Sequence, residues 1–171
     1  MSTFVISLII LLIILIIVII DIVKGGKMNY PLLKNRSSDI KSWRFDDIDV
    51  TITAAYLEVI AGAFSLEDVF KLQPTDSLEN LYNSYYKKNI FGVDDMELEQ
   101  CAINYEKLCQ TADIEFAYQS TIYDQLKTIA EYRSNQPVTA DEAACLGIKM
   151  IFLPLLKADA ADKGNESNEK R

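Results

Sequence analysis

The side chains that could do chemistry here are mostly carboxylates and tyrosines, gathered in one stretch of the chain. Asp94, Asp95, Glu97 and Glu99 crowd together with Glu106 further on, and Tyr82, Tyr85 and Tyr86 bunch with Lys87 and Lys88 just before them. Carboxylates hold a hard cation when they converge from several elements or follow the spacing of an EF-hand loop, and this stretch matches no such loop. It reads instead as the start of a helix, where the macrodipole favours negative charge. No histidine occurs in the 171 residues. That removes the Ser-His-Asp and Cys-His nucleophile systems, most catalytic zinc ligand sets and the Glu-x-x-His half-motif of di-iron bundles.

The three cysteines, Cys101, Cys109 and Cys145, show no C-x-x-C spacing and fall on apolar helical faces, as small core residues do. No glycine spacing forms a GxGxxG or Walker loop. The expectation is a protein without catalytic residues, cofactor or metal. Its candidate surface for a protein partner is Tyr82, Tyr85, Tyr86, Lys87, Lys88, Asp94, Asp95, Glu97 and Glu99, since tyrosine is enriched at interface hot spots. With 17 basic against 25 acidic residues and a formal charge of −8, the chain lacks the basic face that nucleic-acid binding needs. Nothing points to a small-molecule substrate.

The elements that position these residues begin with an anchor. From Met1 to Ile20 no charge occurs, and from Phe4 to Ile20 only Ser7 interrupts Ile, Leu, Val and Phe. About 20 helical residues at roughly 1.5 Å each span a hydrocarbon core of about 30 Å. A cleaved signal peptide would carry a basic start, a shorter apolar core and a small-x-small site, and residues 1–23 have none of these. Residues 4–23 are therefore expected to lie in the bilayer as a single transmembrane helix, with 1–23 the anchor. The span has no small-xxx-small face for dimerisation and no ionisable residue in its middle for transport. After the span come Lys24, Lys27, Lys34, Arg36, Lys41 and Arg44, opposed only by Asp39 up to residue 44. By the positive-inside rule this side stays in the cytoplasm, at the inner (plasma) membrane of a bacterial-type cell. The cysteines agree. Cys101 and Cys109 on one helix lie roughly 12 Å apart, beyond disulfide reach, as a reducing compartment allows. The opposite topology would make the domain an extracytoplasmic module.

Residues 24–45, with Gly25-Gly26, Pro31 and Ser37-Ser38, read as a basic juxtamembrane linker that either binds anionic lipid or only sets topology. Tyr30 and Trp43 can sit at the interface, or Trp43 and Phe45 can open the folded domain. Residues 46–157 hold 19 acidic and 8 basic side chains and follow helical periodicity throughout. Asp49 or Thr51 caps a mostly buried helix through Ile52, Tyr56, Val59, Ile60 and Phe64. Thr75 or Asp76 starts a second after Pro74, and residues 93–111 form an amphipathic third with Leu98, Cys101, Tyr105 and Leu108 inward. A fourth is predicted from about Asp113 to Arg133. Thr139 to Glu142 is a capping box that opens a core helix running to Leu156, ended or kinked by Pro154. Residues 158–171 read as a disordered tail. The fold class is all-α: a transmembrane helix followed by a small bundle of about five helices, serving as a protein-interaction or scaffold module on the cytoplasmic face.

Asp76-Ser77-Leu78 resembles the Asp-Ser-Leu motif of acyl carrier proteins, in which the serine carries phosphopantetheine at the head of a helix. The resemblance implies an acyl-carrier-like domain using Ser77. It covers about 60 residues and departs from the family after Leu78, where Glu79-Asn80-Leu81-Tyr82 lacks the hydrophobic continuation and Lys87-Lys88 interrupts an acidic face. The competing reading of Ser77 is an ordinary helix cap.

Overall fold

The computed structural model describes Leu12, residues 30–86 and residues 96–158. Within them the chain is helical: α1 (Val50–Ala63), α2 (Leu78–Tyr86), α3 (Met96–Cys109), α4 (Ile122–Tyr132) and α5 (Ala140–Cys145), with short 3₁₀ turns at Pro31–Leu33, Lys41–Trp43 and Val69–Lys71. Residues 153–158 are also helical. No strand occurs among the described residues, only an antiparallel bridge between Ser77 and Thr121. Among the described residues no helix is long and apolar enough to cross a membrane. The span expected over residues 1–23 lies outside them apart from Leu12, as do Lys24, Lys27 and the tail from residue 159.

α1 is the central element, as its near-continuous apolar sequence requires. The Asp49 carboxylate caps it by accepting from the Thr51 backbone N–H at 2.8 Å, which satisfies one orphan donor of the first turn. Ile52, Tyr56, Leu57 and Ile60 are wholly buried, and α1 packs against α3 and α4, which also pack against each other. Tyr105 of α3 stands between Tyr56 and Phe116, with ring centroids 5.9 and 5.1 Å away. The polar atoms of Tyr56 and Gln125, trapped in this core, are paired, as burial demands. Tyr56 donates its hydroxyl to Gln125 Oε1 at 2.5 Å, and the Gln125 amide donates to the Ala117 carbonyl at 2.9 Å.

The first turns of α2 and α4 close on each other's loops. Ser77 Oγ accepts from Asn80 N–H, and the Glu79 N–H donates to the Tyr118 carbonyl at 3.1 Å. In return Ile122 donates to Asp76 and Tyr123 to Pro74, at 2.8 and 3.0 Å. This exchange corrects the predicted start of α4. Residues before Thr121 do not form a helix from Asp113, because that backbone serves α2. Thr121 is the N-cap, extended at ψ 154 and accepting from Asp124 N–H.

Two further expectations change. From Tyr30 onward, the segment read as a linker belongs to the folded unit: Tyr30, Leu33 and Trp43 lie in the core. Arg36 pairs with the Asp76 carboxylate, and Asp39 N–H donates to the Phe70 carbonyl at 2.9 Å. The helix opened by Thr139 does not run to Leu156. It ends after Cys145, where Gly147 at φ +71 places its N–H on Ala144 and that of Ile148 on Ala143, the pairing of a Schellman cap. Pro154 then falls in the first turn of the next helical stretch, where its missing N–H costs nothing.

Candidate functional site

Tyr82 and Tyr85 sit half-buried on α2 and pack against the core. The Tyr85 ring lies 5.4 Å from that of Tyr30, so these tyrosines partly serve to fasten the N-terminal segment. Tyr86 ends α2. Lys87, Lys88, Asp94 and Asp95 lie outside the described residues. Glu97 and Glu99 occupy the first turn of α3, as expected, with Glu97 half-buried and Glu99 exposed. Ser77 is only 6 % exposed, and its hydroxyl accepts from Asn80 N–H. Its hydroxyl thus caps the first turn of α2.

The cysteines divide. Burial pushes the Cys101 thiol up to about 12, with Glu97 adding to the effect. Burial likewise pushes Cys109 up to about 12. Both shifts favour the neutral thiol, and both sulfurs lie inside the fold. Tyr105 rises to about 12, first through burial and then through Cys109, and burial raises Tyr56 well above the ordinary phenol range. Cys145, expected on an apolar face, is exposed, because α5 ends there.

The residue-based reading missed a cleft between the second half of α1, α3 and the α5 cap. It measures about 190 Å³ and is lined by Glu58, Gly62, Gln100, Asn104, Gly147 and Ile148, among others. Glu58 is the one charged residue of α1, and that isolation was the available signal. Its carboxylate accepts from the backbone N–H groups of Lys149 and Ile151, at 2.5 and 2.9 Å. Gln100 and Asn104 share a face of α3 at i, i+4 but look like ordinary surface polar residues in sequence. A cleft this size falls below the roughly 300–1,000 Å³ of small-molecule sites and suits a single side chain. Met96 and Ile103, four and three residues from Gln100 on α3, are 63 % and 41 % exposed and share its side of the helix by spacing.

A second polar knot is structural. Arg133, 5 % exposed, donates to the carbonyls of Leu108, Gln136 and Pro137 and to both Glu142 oxygens, at 2.6–3.1 Å. These bonds hold the Glu142 carboxyl below its ordinary range, the Arg133 hydrogen bonds being the largest cause. Among the described residues no group of three or more His, Cys, Asp or Glu could hold a metal ion. No family model, curated protein or solved structure matches the chain.

Proposed function

We propose that this chain is a single-pass membrane protein whose helical domain lies at the cytoplasmic face and binds a protein partner. The observation that carries the reading is the charge-free apolar run from Phe4 to Ile20, followed after Asp21 by basic residues. Such a run is stable across a bilayer as a helix, and the basic flank selects its inner side. The docking surface is the outer face of α3, where Met96 and Ile103 stand among Glu97, Glu99 and Gln100. Exposed large apolar side chains ringed by acidic ones suit a partner presenting apolar anchors with basic neighbours. The cleft beside Gln100 and Asn104 supplies a socket for one such anchor. Tyr82, Tyr85 and Tyr86 on α2, with Lys87, Lys88, Asp94 and Asp95 of the sequence, remain further candidate contacts for the partner.

The test uses the chain's own thiols. Cys145 is exposed whereas Cys101 and Cys109 are buried, so a membrane-impermeant maleimide reads the location of Cys145. Labelling only after lysis, with the chain retained in alkali-washed membranes, supports the proposal. Labelling of intact cells, with any outer membrane permeabilised, overturns the orientation and makes the domain an envelope-facing module. Release of the chain by alkali overturns the anchor itself.

A further inference from the structure

We propose that the face formed by residues 149–157 and the segment 34–44 rests on the surface of an anionic lipid bilayer. The proposal builds on the membrane-anchored reading and assigns that domain a fixed orientation. Ile151 and Leu155 are 56 % and 46 % exposed, and their surroundings differ from those of the apolar residues on α3. No acidic residue occurs from Ala143 to Ala158, while Lys149 and Lys157 bracket the pair and are exposed. The rest of the domain is strongly acidic, so this is where its basic and apolar surface coincide.

The N-terminal segment adds to the same face. The Arg44 guanidinium donates to the Leu156 carbonyl at 2.7 Å, which places that cation beside Leu155 and Lys157. Phe70 bonds through its carbonyl to Asp39 N–H and stacks edge-on against Phe152 at 5.3 Å. Lys41 is exposed on the turn between Asp39 and Arg44. Glu58 and Asp39 lie beside this face and keep their charge, with their oxygens turned to the N–H groups of Lys149 and Ile151 and of Lys41 and Ser42. Basic side chains flanking exposed aliphatic ones match an anionic headgroup layer over acyl chains, at about 1 kcal/mol per basic residue near the surface.

The length of the connection favours the bilayer over other occupants. The described fold starts at Tyr30, and a span ending at Val23 leaves six residues, 24–29, to connect the two. Six residues reach at most about 20 Å, less than the diameter of a domain whose radius of gyration is about 14 Å. Tyr30 therefore stays within about 20 Å of the membrane, which limits how far the segment that follows it, and the face it shares with residues 149–157, can turn away.

The experiment uses the full chain with Cys145→Ser and Leu155→Cys, carrying an environment-sensitive fluorophore at position 155. It is reconstituted into vesicles of phosphatidylcholine with or without phosphatidylglycerol. The expected result is a blue shift and quenching by a lipid-borne quencher in the anionic vesicles. Both should be lost when Lys149→Gln and Lys157→Gln are added, and a probe at Glu131→Cys on α4 should stay in water. A chain that floats with the vesicles while its Leu155→Cys probe remains water-exposed overturns this face and leaves the anchor intact. A chain that does not float overturns both readings. Shielding that depends on protein density but not on the lipid quencher would give the face to a second copy and also overturn the proposal.

Discussion

The Arg133–Glu142 pair shows how one residue can be both a staple and a pH sensor. Glu142 holds its proton less tightly in the folded chain than in the unfolded one, because Arg133 donates to both its oxygens. Its contribution to stability is therefore complete above the ordinary carboxyl value of 4.5 and disappears as pH falls through the lowered native value. Denaturant midpoints measured from neutral pH downward should fall in that window, and Glu142→Gln should flatten this part of the profile. The same substitution should cost about 1–3 kcal/mol at neutral pH, since Arg133 stays buried with a weaker partner. A Gln variant as acid-sensitive as the parent would remove this assignment. At the same scale, the native chain should take up one maleimide while folded, at Cys145. Modification of Cys101 and Cys109 should await denaturation, a difference that intact mass reads directly.

Helices are where sequence and structure can be compared most closely. The Asp49 cap, the Thr139 cap and the buried stripe of α1 were legible, because capping side chains and apolar periodicity are local properties. The early end of α5 and the late start of α4 were not legible to the same reading. The first depends on a left-handed backbone at Gly147, and the second on hydrogen bonds to a loop distant in sequence. The Glu58 cleft was hidden for a similar reason, since its far wall is Leu146, Gly147 and Ile148, distant in sequence. Burial now grades two substitutions on α3 that periodicity treated alike. Tyr105→Ala should cost about 3–5 kcal/mol, and Leu98→Ala, at a half-buried site, below about 2 kcal/mol. Equal losses in chemical denaturation would mean that the phase of α3 is wrong. A methyl group added at Gly147 would meet only open space, so the positive φ alone sets the penalty there. Gly147→Ala should lose about 1–2 kcal/mol, and Gly147→Asn less, because asparagine tolerates this conformation.

For the whole molecule, helical periodicity from Asp46 onward already pointed to an all-α fold, whereas the extent of the folded unit had to come from the structure. Lys34, Arg36 and Ser37-Ser38 look like a solvated linker, yet the buried side chains of Leu33 and Trp43 on either side tie that stretch to the core. Arg36→Ala, which removes the ion pair to Asp76, should loosen this segment and expose the 30–45 region to limited proteolysis before α1 unfolds. Simultaneous cleavage throughout the domain would argue against a separately anchored segment. The exchange of hydrogen bonds between the starts of α2 and α4 has a consequence for the order of events during synthesis. The Glu79 N–H lacks its native acceptor until Tyr118 has been made, and the Pro74 carbonyl waits for Tyr123. At about 5–20 residues per second, α2 leaves the ribosome roughly 2–9 s ahead of the residues that close it. During that interval its first turn is a nascent helix without its tertiary closure, and the cooperative unit becomes complete only as the second half of the chain emerges.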